Sequence, residues 1–237
     1  MPNISNRDYD VWMTNMLAMQ DNMIIFTSSD LVGYIQEKRK HARTHIVTTT
    51  LDKTWMVEQY GWDFWNKEQH QRDPEKKIHS GSLYVIWDEK SSWLLQGVQL
   101  NPFQSTFFAW VDIGYFREAR FNGKRMIRQL PQTFQAYSVM MLDMHTIEKH
   151  AVGGGFIGGY AAGIRKWVPL LYSTLNQFST TDFIGKDQTW MRRTCDVHQD
   201  ENLCYLVQTK TGRGQPYNFV DEWFYMAPFL SGDYCSV

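Results

Sequence analysis

The run Phe107-Phe-Ala-Trp-Val111 reads as a buried strand, and it ends abruptly on a carboxylate and a glycine, Asp112 and Gly114, just ahead of Arg117. A carboxylate at that place contributes little to burial. The carboxyl ends of strands in open α/β sheets are where ligands collect, and a glycine there lets the backbone approach closely. The chain is therefore constrained toward an α/β sheet with Asp112 as the first candidate working residue. Two later segments extend the candidate site. Gly153-Gly154-Gly155-Phe-Ile-Gly158-Gly159 is expected to turn into a helix, and Gly185-Lys-Asp187-Gln188 places an acidic pair at the start of another. Together they suggest a site for a phosphorylated or sugar-like ligand.

A chain of 237 residues with 43% hydrophobic content can bury a substantial core, and it reads as one domain over 1–237. Its 24 basic and 25 acidic residues leave a net charge of −1, so no overall field favours nucleic acid or a membrane surface. Any anion must be held locally, with Lys90, Arg117, Lys124, Arg125, Arg128 and Lys186 as the candidates to meet a pyrophosphate. The 10 Trp, 12 Tyr and 14 Phe serve first as core filler and second as platforms for sugar rings. Three cysteines, Cys195, Cys204 and Cys235, lack metal-ligand spacing, and their odd count argues against a disulfide framework, so a reducing compartment is expected. No apolar stretch approaches the ~20 residues that span a bilayer, and the first residues lack a signal-peptide pattern. A cytoplasmic location follows, or a lumenal one for a chain from which an anchor has been trimmed.

Apolar spacing predicts a helix over 7–20, a strand at Met23–Thr27, a helix over 31–41 behind the cap signature Ser28-Ser29-Asp30, and a strand over 45–50. The aromatic, charged stretch 51–79 follows no single period. Ser80 or Ser82 caps a helix running to about Gln99, stopped by Asn101-Pro102 before the strand that ends at Asp112. Strands are further expected over 135–142, 151–156 and 203–208, and helices over 159–178 and 187–193. This alternation points to a largely parallel sheet covered on both faces.

The segment Gly153–Gly158 matches G-x-G-x-x-G, but it lies late in the chain behind a poor strand, and no Walker sequence is present, so a dinucleotide site and an oxidoreductase are disfavoured. A tight turn against a ligand and close helix-to-sheet packing both account for the glycines. Asp187-Gln188 is also what the macrodipole favours at a helix start. His198 beside Asp200 and Glu201 offers metal ligands or a solvated turn.

Taken in order, Leu83-Tyr-Val-Ile-Trp87-Asp-Glu-Lys90, Asn101-Pro-Phe-Gln-Ser105, the strand into Asp112-Ile-Gly114-Tyr-Phe-Arg117, the glycine cluster and Gly185-Lys-Asp-Gln188 resemble the HtrL/YibB (WlaTC) family over nearly the whole chain. That family is similar to GT-A glycosyltransferases. The resemblance implies a Rossmann-like, mostly parallel mixed sheet flanked by helices, and transfer of a sugar from a nucleoside-diphosphate sugar to a glycan or surface polysaccharide acceptor. It implies donor contacts from Asp112, Gly114, Lys90, Arg117, Gly153, Gly154, Gly155 and Gly158, and catalytic roles for Asp187, as base, and Gln188. Two departures bear on this. The usual Asp-x-Asp is here Asp112-Ile-Gly114, so Mn2+ or Mg2+ is expected to bind weakly, through Asp112 and a distant ligand such as His198, or not at all. The strand that precedes the first helix in relatives is also missing from this sequence, so either the domain is truncated or the nucleotide base is held differently. The alternative is a non-catalytic nucleotide-sugar or carbohydrate-binding protein on a degenerate fold.

Overall fold

Ser80 takes an extended conformation and its hydroxyl accepts from the Leu83 N–H, so the following residues enter a helix that lasts from Gly81 to Leu100. Asn101 ends it in the left-handed region at φ 36°, as the Asn-Pro signal predicts. The computed structural model describes residues 6–144, 148, 151–209 and 222–232. In chain order the elements are α1 (Asn6–Leu17), β1 (Met23–Thr27), α2 (Val32–Lys38), β2 (Thr44–Thr48), α3 (Trp55–Tyr60), α4 (His70–Arg72), α5 (Gly81–Leu100) and β3 (Phe107–Val111). They continue with β4 (Val139–Asp143), β5 (Val152–Tyr160), α6 (Ala161–Phe178), α7 (Asp187–Val197), β6 (Cys204–Gln208) and α8 (Met226–Ser231). Among the described residues the fold is mixed α/β, with two small sheets.

Two compact units share the chain: residues 1–48, 111–134 and 209–237 in the first, 49–110 and 135–208 in the second. In the first unit β1 and β2 pair in parallel, Met23 opposite Thr44 through Thr27 opposite Thr48, with α2 as the crossover. Buried Arg39 closes this unit. Its guanidinium donates to the carbonyls of Leu17, Met19, Asp21 and Arg43, satisfying backbone that would otherwise be orphaned.

The second unit holds a sheet of order β3-β5-β4-β6. Val139, Met140, Met141 and Leu142 are all buried, and their unit's core is completed by Tyr84 and Val85 of α5, Trp167 and Leu171 of α6, and Trp190 and Met191 of α7. The expectation of one largely parallel sheet changes in two ways. The strands divide between two sheets, and although β6 runs parallel to β4, β5 runs antiparallel to it. The reason is length: fewer than a dozen residues join β4 to β5, too few for a parallel crossover. β3, read from the sequence as a buried strand, stands at one end of the sheet's order.

A second difference concerns the glycines. Gly153 to Gly159 lie inside β5 rather than at a turn into the helix, and α6 begins only at Ala161. Met140 pairs with Gly158 while Leu142 pairs with Gly153, so β5 bulges between them and aims residues out of the ladder. The glycines fit because the space is taken: a Cβ on Gly153 would lie 3.0 Å from Leu142 Cβ, and one on Gly158 would lie 2.7 Å from the Phe156 ring.

The cysteine expectation is also corrected. Cys195 near the end of α7 and Cys204 at the start of β6 form a disulfide, their Cα atoms 5.6 Å apart. Their sequence separation is 9, a spacing that has no motif, so only the return of the chain from α7 to β6 reveals the pair. Cys235 lies outside the described residues. No described helix is long and apolar enough to cross a membrane.

Candidate functional site

In the second unit, α5 carries three consecutive charged residues, Asp88, Glu89 and Lys90, each no more than 3% exposed. Consecutive positions on a helix point about 100° apart, so a single partner cannot serve all three. Glu89 Oε2 accepts the Met56 N–H at 2.9 Å, an otherwise open donor in the first turn of α3. Lys90 points elsewhere. Its Nζ donates to the Gly154 carbonyl at 3.1 Å and lies 3.0 Å from Asp187 Oδ2, an ion-pair contact with both side chains only 4% exposed.

The bulged strand explains the meeting. Gly154 presents its carbonyl to the ammonium, and a Cβ there would come within 2.7 Å of Asp187 Oδ2. Any larger residue would push the carboxylate away. Asp187 is the first residue of α7, where the helix dipole favours an anion, and its Oδ1 accepts the Gln188 N–H at 2.8 Å. Gln188 is half-buried beside it.

Asp88 is the unbalanced member. Its Oδ2 is buried without a hydrogen-bond partner among the described residues, and its backbone carbonyl accepts the Tyr172 hydroxyl at 3.2 Å. Burial, and then the neighbouring Asp187 carboxylate, holds the Asp88 carboxyl well above the usual carboxylate range against the pull of Lys90. The same charges reach the surrounding phenols: burial and then Asp88 push Tyr60 up to about 12, and burial followed by Glu89 and Asp88 raises Tyr172. Burial also raises Glu89 despite its backbone bonds. Asp88, buried beside Asp187 and Lys90, thus makes a place that favours holding a proton.

Sequence reasoning therefore named Lys90, Gly154, Asp187 and Gln188, and the structure brings them together. It missed Asp88, Glu89 and Tyr172. The signal for the first two was present, since a charged triplet inside the apolar stripe of a twenty-residue helix must turn at least one side chain inward. Gly153 and Gly158 serve strand packing, and Gly155 is half-buried in β5.

Asp112, Gly114 and Arg117 belong to the first unit. Asp112 follows β3 directly, as the strand-end pattern predicts, and its carbonyl accepts the Tyr115 N–H at 2.9 Å. A Cβ on Gly114 would touch Trp12 and Tyr9 at 3.4 Å. The Arg117 guanidinium lies between the rings of Trp12 and Phe224, 4.1 and 3.9 Å from their centroids, so cation–π contact orients it. Lys186 pairs with Glu148 at 2.7 Å.

His198 Nδ1 is 2.8 Å from Glu201, which Lys166 also meets at 2.8 Å. Among the described residues no group of three or more His, Cys, Asp or Glu side chains is placed to hold a metal ion.

These features define a mixed α/β protein with a buried, charge-paired site where a glycine strand meets a helix start. Over residues 4–210 the sequence matches the family described as bacterial protein of unknown function, HtrL_YibB, and the chain belongs to that family, as its motif order implies. No curated protein and no solved structure matches the chain.

Proposed function

We propose that this protein is a glycosyltransferase of GT-A-like fold, moving a sugar from a nucleoside-diphosphate sugar to a glycan hydroxyl. One observation carries the reading: Lys90, Gly154 and Asp187, named from three separate segments for donor binding and base catalysis, meet within hydrogen-bonding distance. In an inverting course, the acceptor oxygen forms a bond to the anomeric carbon as the bond to the diphosphate breaks. The electron pair leaves with the diphosphate and the hydroxyl proton passes to a carboxylate. Lys90 suits the first charge and Asp187 the second. Before substrate arrives each neutralises the other, which lets both stay charged though buried. An incoming diphosphate competes for the ammonium and releases the carboxylate to act as base. Gln188 contributes an amide to a sugar hydroxyl.

Among the described residues no three side chains of ligand type gather to build a metal cage, and no step here runs through a metal. Mn2+ or Mg2+ enters the reading only on the donor's own phosphates. Calorimetry would then show nucleoside diphosphate binding more tightly with manganese than in chelator, and equal affinities would remove metal from the proposal.

A second reading follows from the same pair. Lys90 and Asp187 are satisfied by each other at 4% exposure, which also suits a structural ion pair in a non-catalytic sugar- or nucleotide-binding protein. Incubation with a panel of nucleotide sugars separates the two readings. Release of nucleoside diphosphate that falls about 10²–10⁴-fold in Asp187→Asn supports the enzyme. Binding without release by the wild-type protein supports the second reading.

A further inference from the structure

Along the outer side of the start of α7 lies a cleft of about 400 Å³, lined within the second unit by Glu75, Asp182, Phe183, Lys186, Thr189 and Arg193 among others. Its volume suits a sugar unit with one substituent. Thr189 and Arg193, four residues apart, share one face of α7, and Lys186 caps the start of that helix. Arg193 is the most specific of them. Its guanidinium lies 3.7 Å over the Phe178 ring and 5.4 Å from Trp190, and Phe178 and Trp190 themselves stack at 5.5 Å. Two rings thus hold it flat, while among the described residues no carboxylate lies within ion-pair distance of it.

The opposite wall is firm. Asp73 is buried and accepts from the Tyr84 hydroxyl at 2.6 Å, from the Glu75 N–H at 2.7 Å and from His79 at 2.9 Å. Burial alone would raise that carboxyl, but these bonds outweigh it and hold it low, so Asp73 is wall rather than ligand group. Glu75 is exposed and Asp182 half-buried, and both line the same cleft as the cations, which leaves acceptors there for hydroxyl groups.

We propose that this cleft binds an anionic saccharide, its phosphate or carboxylate taken by Arg193 with Thr189 and Lys186 and its hydroxyls by Glu75 and Asp182. The guanidinium supplies the specificity, because a planar donor edge held by two rings is already oriented for a two-oxygen anion. Lys186 supplies a second charge by exchanging its half-exposed partner Glu148 for the ligand. Lys186 directly precedes Asp187, so, on the glycosyltransferase reading, this cleft seats the acceptor beside the candidate base.

Calorimetric titration of the whole chain with glucose 6-phosphate, glucuronate, glucose and inorganic phosphate tests this. Glucose 6-phosphate and glucuronate are expected to bind at least about tenfold more tightly than glucose or phosphate, since charge-assisted bonds add to hydroxyl contacts. Arg193→Ala should bring both down to the level of glucose, and Arg193→Lys should recover only part, lacking the planar stack. Phosphate binding as tightly as glucose 6-phosphate would reduce the cleft to an anion patch and overturn the proposal. Glucose binding equally well, or no binding of any probe, would overturn it too. Nucleotide-sugar binding measured in Arg193→Ala keeps the two proposals separate: retained donor binding with no cleft ligand sinks the cleft alone, and loss of donor binding in the wild-type protein sinks the donor reading alone.

Discussion

Lys90 and Asp187 form a pair whose worth depends on both partners being present. Removing one leaves a charge buried and uncompensated, and that costs about 3–5 kcal/mol. Lys90→Met should therefore destabilise the protein by this amount in urea unfolding at pH 7, and the double variant Lys90→Met/Asp187→Asn should recover most of it. A loss below about 1 kcal/mol would mean that the pair is screened like a surface bridge. Asp88 makes the opposite prediction in pH. Its folded-state carboxyl is raised, so the folded protein holds a proton that the unfolded chain releases at ordinary carboxylate pH. Stability is then lost as pH rises from the unfolded value through the folded one. Asp88→Asn removes that loss. The groups facing Asp88 are Glu89 and Lys90 on its own helix, Asp187 on α7, Tyr60 on α3 and Tyr172 on α6, and all remain in the variant. Urea midpoints of variant and wild type should converge near pH 4 and separate in the variant's favour toward pH 8. A constant difference across that range would show that Asp88 does not titrate in the folded protein.

At the scale of elements, β5 and α7 carry the site, and each was only half legible. The cap at Ser80 or Ser82, the helix stop at Asn101, the strand before Asp112 and the start of α7 could be read locally because one or two residues decide them. The glycine run could not. Glycine permits a turn, a bulge or close packing alike, and only the neighbours across the sheet choose between them. Gly154 faces a carboxylate, Gly158 faces rings, and Gly163 in α6 would place a Cβ 2.5 Å from the Ser138 carbonyl oxygen, which is backbone and cannot give way. Gly163→Ala is accordingly expected to cost about 1–3 kcal/mol of stability by overpacking, read from the thermal midpoint. Gly154→Ala should displace Asp187 and lower turnover more than it lowers stability. The stretch 51–79 resisted reading for another reason. Its short turns are fixed by ring contacts made across the unit, such as Trp55 stacked on Tyr172 at 4.4 Å, rather than by any period of its own. The disulfide joining α7 to β6 closes a loop of ten residues, Cys195 to Cys204, and reduction should cost about 2–3 kcal/mol on the chain-entropy account. Matching urea midpoints with and without reductant would contradict that.

Over the whole molecule, the chain passes between the two compact units four times, at 48/49, 110/111, 134/135 and 208/209. Interleaving of this kind leaves no linker and no shift of composition, which is why the sequence reads as undivided. It also assigns Asp112 to the first unit, while Lys90, Gly154 and Asp187 assemble in the second. Family membership over residues 4–210 was legible because the order of several weak motifs is more specific than any one of them. The central claim, that the Lys90–Gly154–Asp187 cluster performs sugar transfer chemistry, rests on the chemistry of those three residues. The most direct measurement is the initial rate of nucleoside-diphosphate release from a panel of nucleotide sugars, for the wild-type protein and Asp187→Asn at equal fold by circular dichroism. At least one donor should be turned over by the wild-type protein, with the rate falling about 10²–10⁴-fold in the variant. Equal rates in the two proteins, or no release from any donor by the wild-type protein, would contradict the claim.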